Sequence, residues 1–345
     1  MLTFTDVQLR RVSESVFKAA QVPAHTASLV ARSLVESNLV GHDSHGVLRV
    51  TSYLGNLRSG AIVADAVVEI VSESATTAAL DGHNAFGQVA AARCMEVAIS
   101  KAKQSHLAAV TLRHSGHIGR LGEWAMMAAE QGLIGIVLCN STLSAVAHGG
   151  KKRVLSTNPM AIAAPGSEGN SFLLDMATTV SAEGKLRVAR SKGEQVPPGW
   201  IVDKEGRPTQ NPADYYAGGA LLPMAGHKGY GLSLFIELTC GLLSGHGSAA
   251  LPGYGGGNGV FMLALDVEAF APLSTFVAQE EELFDIMRAG PLAPGFSEIL
   301  IPGDYELRMK EKRLREGIPL PESTWEDLRA AGIALGVDVD GISAQ

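Results

Sequence analysis

The sequence predicts an α/β or α+β fold, with a central sheet-bearing domain and helical segments at both ends of the chain. Three observations predict it. Short apolar runs alternate with amphipathic stretches through the middle of the chain. The first forty residues carry helical periodicity, and the stretch from Asp304 to Val337 is helical in pattern and more charged.

At the start, Thr5 and Gln8 have the spacing of a capping box, and Val7, Leu9, Val12, Val16 and Phe17 form the apolar stripe behind it. Pro23 opens a second helix running towards Val40. Further on, Leu107 to Leu112 and Leu133 to Leu138 read as buried strands on either side of a helix from Leu121 to Gln131. Shorter strands follow at Met160 to Ala164 and Ser171 to Asp175, then a helix over Ser181 to Arg190. Pro197, Pro198, Gly199, Pro208 and Pro212 mark an irregular connection. Gly229 to Leu243 reads as a buried helix and Val260 to Leu265 as a late strand. This order places the central domain at residues 75–270. Residues 1–74 and 271–345 then pack together as one discontinuous helical domain.

A chain of 345 residues is long enough for about two domains. Its charged fraction is 18%, against ~25% in an average soluble protein, so part of the surface is expected to be covered, most simply by a second copy. A net charge of -7 without a long basic run argues against nucleic acid as a partner. Cys94, Cys139 and Cys240 are widely spaced and form no C-x-x-C pair, which argues against disulfides and structural zinc. The N-terminus has no apolar signal core, and no run approaches the ~18 apolar residues of a membrane span. The expectation is a cytoplasmic, globular protein without a membrane partner.

The chemistry is densest at Gly41 to Gly46 (GHDSHG), followed by Arg49 and Tyr53. If this segment is helical, His45, Arg49 and Tyr53 recur every fourth residue on one face. That face combines an imidazole that can move a proton near neutrality, a guanidinium shaped to grip a carboxylate, and a phenol. It reads as a site for a small anionic substrate.

A second histidine cluster, Arg113 to Gly119, sits where a strand hands over to a helix, a junction whose backbone N–H groups bind anions. Asp175 ends an apolar strand and is either a helix cap or a relay partner for a histidine. Lys228 opens an apolar helix against the helix dipole, which favours an anion lying between them. Leu155 to Met160 combines an Asn-Pro turn with hydroxyls just before a strand. Gly is abundant, at 39 residues, yet neither a G-x-G-x-x-G after a strand nor a G-x-x-x-x-G-K-[ST] occurs, so a Rossmann site is not expected. His42 with His45, and His114 with His117, have short metal-ligand spacing. No H-E-x-x-H exists and nearby carboxylates are few, so no metal is expected.

Seven segments in order resemble the type-2 malate/L-lactate dehydrogenases, a family that includes sulfolactate, ureidoglycolate and 2,3-diketogulonate enzymes and piperideine-2-carboxylate reductases. The segments are GHDSHGVLRVTSY, RHSGHIGRLGEWA, LSTNPMAIAAP, LLDMATTVSAEGK, PPGWIVDKEGRPTQNP, GGALLPMAGHKGYGL and PGFSEILIPGD. The resemblance implies a non-Rossmann NAD(P)-binding fold with a central mixed sheet, active as a homodimer. It implies hydride exchange between nicotinamide and a small 2-hydroxy or 2-oxo acid. In that scheme His45 is the proton donor, assisted by Ser44 and Asp175, and His117 is the other candidate for the acid/base role. Arg49 holds the substrate carboxylate, with Tyr53 beside it and Thr157 on the substrate side. His117, Ile118, Gly119, Asn140, Ser141, Asp175, Met176, Ala177, Lys228, Pro302 and Gly303 line the cofactor. His114-Ser115-Gly116 departs from the Asn-Ser-Asn of many relatives.

The resemblance leaves NAD and NADP open. A basic residue near the adenosine ribose favours the phosphate, and Lys151, Lys152, Arg153, Arg187 and Arg190 are the candidates. The alternative within the family is reduction of a cyclic 2-imino acid such as piperideine- or pyrroline-2-carboxylate. Two further readings from other classes are a metal-dependent hydrolase built on the two histidine clusters, and a non-catalytic carboxylate-binding protein.

Overall fold

A computed structural model describes residues 1–167 and 171–343. The chain begins with β1 (Leu2–Phe4), α1 (Asp6–Ala19), α2 (Ala24–Leu39) and α3 (Val50–Ser59). The central part follows with β2 (Glu69–Glu73), β3 (Thr77–Ala85), α4 (Gly87–Ser105), β4 (Leu107–Ser115), α5 (Leu121–Ala129) and β5 (Leu133–Cys139). Next come β6 (Ala145–Val146), β7 (Arg153–Leu155), β8 (Met160–Ala164), β9 (Phe172–Met176), α6 (Glu183–Lys192), β10 (Ile201–Val202) and β11 (Pro208–Thr209). They are succeeded by α7 (Pro212–Tyr216), β12 (Ala220–Leu221), α8 (His227–Ile236) and β13 (Asn258–Asp266). The chain ends with α9 (Leu273–Arg288), α10 (Asp304–Glu316), β14 (Ile318–Leu320), α11 (Glu322–Ala334) and α12 (Val339–Ser343).

The main sheet has seven strands in the order β2-β3-β4-β13-β5-β8-β9. Only β3 and β4, joined by the α4 crossover, are parallel, so the sheet is mixed. Period-2 alternation sorts its two faces. Leu133, Val137, Val260 and Met262 join α4 and α5 in the largest core. Ile136, Leu138 and Phe261 point the other way, against Ile236 and Cys240. A smaller sheet, β11-β10-β12-β6-β7, packs its own core of Leu155, Ile201, Tyr215 and Leu221 on Leu186 of α6.

The two ends of the chain share one core. Leu9, Val12, Val16 and Phe17 of α1 pack with Leu34 of α2, Tyr53 of α3, and Ile318, Leu320 and Trp325 from the far end. The strands β1 and β14 pair antiparallel, Leu2 opposite Leu320. The capping box forms as the spacing predicts, with Thr5 N–H on Gln8 Oε1 at 2.8 Å and Gln8 N–H on Thr5 Oγ1 at 3.1 Å.

Several elements differ from expectation. Val7 is 49% exposed and lies off the buried stripe. Pairing of β2 with β3 brings residues 69–73 into the main sheet, ahead of the boundary expected at residue 75. The C-terminal stretch is interrupted by β14, whose partner lies at the other end of the sequence. The apolar segment from Gly229 to Leu243 is helical, turning π-helical over Glu237–Leu243, but is buried along one face only. Leu232, Leu234, Phe235, Leu238, Leu242 and Leu243 are 38% to 65% exposed. No helix among the described residues is long and apolar enough to cross a membrane.

Candidate active site

The segment carrying His45 and Arg49 is not one helix. Two 3-10 turns, Asp43–His45 and Val47–Arg49, are separated by Gly46 in extended conformation (φ -85°, ψ -157°), and α3 starts only at Val50. The cause is local. Gly46 lies so close to Asn38 that a Cβ would sit 2.2 Å from Asn38 Oδ1. That same oxygen accepts Val47 N–H at 2.9 Å, while Asn38 Nδ2 donates to Asp43 Oδ1 at 2.7 Å. Arg313 of α10 grips Asp43 at 2.6 and 3.0 Å, and His42 Nε2 meets Glu306 Oε1 of α10 at 3.2 Å. The loop is therefore held between the end of α2 and the face of α10.

The predicted side chains converge all the same. Arg49 folds back, donating Nε–H to the Ser44 carbonyl at 2.7 Å. Its terminal nitrogens make no hydrogen bond or ion pair among the described residues. Ser44 Oγ lies 2.9 Å from His45 Nδ1. The His45 ring stacks on His117, with centroids 5.4 Å apart and planes 17° from parallel. Tyr53, buried in the terminal core, brings its hydroxyl 2.8 Å from His117 Nδ1, and Gln88 Nε2 donates to the same hydroxyl at 2.8 Å. Helix α6 covers this group: Gly184 lies against Ser44, and the charges of Glu183 and Arg187 reach Arg49.

Burial sets the electrostatics. It holds the His45 imidazole well below its ordinary range, and the neighbouring His117 and Arg49 lower it further. His117 is lowered to about 3 by burial and by Arg49. Burial raises the Tyr53 phenol to about 12. These shifts favour neutral imidazoles and a protonated phenol at neutral pH.

Asp175, near the end of β9, makes no hydrogen bond to His45. Its Oδ2 accepts Gly122 N–H from the first turn of α5 at 2.7 Å. Burial raises this carboxyl above its ordinary range, and the charges of His42 and Arg120 offset only part of the rise. Arg120, at the N-cap of α5, escaped sequence reasoning. It is 5% exposed, and its Nε and Nη1 are buried without a hydrogen-bond partner among the described residues. It lines a cavity of about 1020 Å³, bordered also by Arg32, Glu36, Glu123, Leu173, Pro302 and Gly303. The Pro302–Gly303 turn is clamped to β9 by Leu173 N–H on the Pro302 carbonyl at 3.0 Å, and Gly303 has φ +107°. Glu123 is raised by burial and accepts from Ser33 Oγ at 2.6 Å.

The remaining predicted residues fall around the other end of β9. Thr157 accepts at its carbonyl from Thr178 N–H and Oγ1, which sets it beside Met176 and Ala177. The start of α8, where Lys228 stands exposed and free of ion pairs among the described residues, packs on Thr178 at Gly229. Asn140 is a structural tie: its side chain meets Gly247 O, Glu237 Oε2 and Gly259 N, while the Ser141 side chain makes no hydrogen bond among the described residues. Ile118 is buried, with its N–H on Asn258 Oδ1, and Gly119 has φ +77°. The two histidines of the second cluster part company. His114 turns to Asp81 at 3.0 Å and to His246, away from His117. Among the described residues no group of three or more His, Cys, Asp or Glu could hold a metal. None of Lys151, Lys152, Arg153, Arg187 and Arg190 lines the cavity. Arg153 is engaged by the carbonyls of Gly219 and Tyr215, and Arg190 stacks on Tyr216.

The sequence matches the family described as malate/L-lactate dehydrogenase over residues 4–329. It is 38% identical over 326 residues to a malate dehydrogenase of Pyrococcus abyssi, covering 91% of this chain and 90% of the relative. The fold superposes on a sulfolactate dehydrogenase from Methanocaldococcus jannaschii with a TM-score of 0.92 and 34% identity, covering 99% of each chain. It also resembles a delta1-piperideine-2-carboxylate reductase from Pseudomonas syringae, with a TM-score of 0.86 and 29% identity over 96% of this chain and 100% of the other. The chain belongs to the malate/L-lactate dehydrogenase family. It is an oxidoreductase that uses a nicotinamide cofactor.

Proposed function

We propose that this enzyme exchanges hydride between NAD(P) and a small 2-hydroxy or 2-oxo acid, with Arg49 as the carboxylate clamp and His45 as the proton donor. Arg49 carries this reading. A guanidinium tied at Nε and free at both terminal nitrogens, beside two stacked imidazoles, matches the two oxygens of a carboxylate. Such a clamp fixes which face of the neighbouring carbonyl meets the hydride.

The residues present fit a dinucleotide. The Arg120 guanidinium, whose Nε and Nη1 have no partner among the described residues, suits a phosphate in the cavity that Pro302 and Gly303 also line; Asp175, Met176, Ala177 and Lys228 are assigned to the cofactor by the family resemblance. The cofactor, when bound, supplies the hydride. His45 then moves the proton, held by Ser44 Oγ at Nδ1. Burial first, and the Arg49 charge after it, keep both imidazoles neutral; an arriving carboxylate offsets the Arg49 part, so substrate binding raises the His45 proton affinity. Proton transfer of this kind is worth ~10²- to 10⁴-fold in rate. Tyr53 holds His117, and Thr157 faces the substrate side.

The likeness to a piperideine-2-carboxylate reductase supports a second reading, reduction of a cyclic imino acid, in which the same clamp and donor serve a C=N bond. The exposed apolar face of residues 232–243 supports a homodimer.

The test is a crossed screen of NADH and NADPH against 2-oxo acids and cyclic imines. Turnover by wild type, with kcat reduced at least a hundredfold in His45→Ala and KM raised in Arg49→Ala, is the expected result. Folded protein that oxidises neither cofactor with any carboxylate in the panel overturns the proposal.

A further inference from the structure

His117 lies in the site, but the groups that hold it come from two other segments. Its Nδ1 meets the Tyr53 hydroxyl at 2.8 Å, and that hydroxyl meets Gln88 Nε2 at 2.8 Å. Gln88 is wholly buried in the first turn of α4. Backbone packing puts it there. A Cβ on Gly87 would sit 2.2 Å from the His117 carbonyl oxygen, and Gly116 N–H bonds Ala85 O at 3.0 Å. The first turn of α4 therefore rides directly on the backbone that carries His117, so the amide and the imidazole are positioned as one unit.

The hydrogen-bond directions along this line are coupled. An amide nitrogen only donates. The Tyr53 hydroxyl, having accepted from Gln88, has its own proton left for His117. Nδ1 of His117 is then the acceptor, and the single proton of the neutral ring sits on Nε2, which makes no hydrogen bond among the described residues. The amide orientation matters here, because Gln88 Oε1 is buried without a partner among the described residues. The reverse orientation would strand both amide hydrogens in a dry pocket. The observed one strands a carbonyl oxygen and a single hydrogen, and an under-satisfied oxygen is the better tolerated orphan.

We propose that Gln88 is a positioning residue that fixes, through Tyr53, the tautomer of His117 with its proton on Nε2, so that His117 offers the bound substrate a neutral N–H donor. This rests on the assignment of His117 to the site in the reading above. It divides the work between the two stacked rings. His117 polarises the carbonyl without ionising, as its burial beside Arg49 requires, and His45 delivers the proton.

The test is nuclear magnetic resonance of protein labelled with ¹⁵N-histidine, with the His117 signals identified by their loss in His117→Asn. Wild type shows a protonated Nε2 and a bare Nδ1 at neutral pH. Gln88→Met, close in shape but without a donor, shows a growing Nδ1–H population. Its kcat falls about tenfold with KM little changed, the equivalent of one hydrogen bond lost from the transition state. Tyr53→Phe gives the same signature, and the kcat losses of the two variants fail to multiply when combined. A wild-type ring protonated on Nδ1, or a tautomer untouched in both variants, overturns the proposal. If Gln88→Met does not fold, the wild-type and Tyr53→Phe spectra still decide it. These spectra need no turnover, so an enzyme inactive on every acid in the panel would refute the reaction while leaving the tautomer measured.

Discussion

The imidazoles of His45 and His117 lie face to face, 5.4 Å between centroids, with the Arg49 guanidinium near enough to act on both. Three groups able to carry positive charge share one buried volume, and only Arg49 carries it. The arrangement stores an unfavourable charge balance that an anion corrects.

Stability is expected to fall in mild acid for this reason. Both histidines have proton affinities lowered by folding, His117 to about 3, whereas in the unfolded chain they take up protons near pH 6.5. The unfolded state thus binds more protons below that pH. The neutral-ring contribution is complete above pH 6.5 and is lost as pH drops towards the folded values. Each ring contributes up to about 1.4 kcal/mol per pH unit. Urea midpoints at pH 7, 6 and 5 should decline, and His117→Gln should flatten the decline.

Binding of a carboxylate should draw in protons. Calorimetry with oxamate and reduced cofactor near pH 6, repeated in buffers of differing ionisation enthalpy, is expected to show net proton uptake. His45→Asn should abolish the uptake while binding persists. Release of protons, or none moving in wild type, contradicts the compensation of Arg49.

Two glycines should respond in opposite directions. Gly87→Ala drives a methyl into the His117 backbone, a clash that no side-chain movement relieves, and should destabilise by at least about 2 kcal/mol. Gly55, exposed inside α3 with nothing within 4 Å of an added Cβ, should gain about 0.5–1 kcal/mol as Ala. Denaturant melts of the two variants check both.

Removing the Arg120 charge should weaken the cofactor selectively. Fluorescence titration of Arg120→Met with NADH or NADPH is expected to show a Kd raised roughly 10- to 100-fold, the loss of a hydrogen-bonded charge facing phosphate. The dependence on salt should shrink in parallel. An unchanged Kd would place the phosphates elsewhere.

The apolar face of α8 and the π-helical turn should hold two copies together. Phe235→Glu combined with Leu238→Glu is expected to shift the mass measured by light scattering from dimer to monomer. A wild-type protein that is already monomeric would argue against this face as the interface.

Local chemistry explains what was legible in the chain. The Thr5–Gln8 cap, the helix opening at Pro23 and the strands at 107–112 and 133–138 are written in short-range spacing, and they formed accordingly. The position of β13 between β4 and β5 was not legible, because pairing across more than a hundred residues leaves no period to read. Two-residue strands such as β6, β10 and β12 are too short to alternate. The leucines of 232–243 read as core in the sequence, because apolarity does not separate a buried face from an uncovered one. In the site, His45 and Arg49 announced themselves by residue type, although the helix assumed to align them is broken at Gly46. Arg120 carried a usable signal, a cation against a helix dipole, the same mismatch that singled out Lys228. Gln88 carried none beyond being the lone polar side chain at the head of an apolar helix.

The pairing of β1 with β14 has a consequence for synthesis. A growing chain makes Leu2–Phe4 long before Ile318–Leu320, so this ring of contacts closes only after β14 has been synthesised. Glu306 and Arg313, the props of the His45 loop, are also late arrivals. Nascent chains halted before residue 304 should therefore hold a formed main sheet and no working pocket, and catalytic competence should appear only once α10 and β14 have been made.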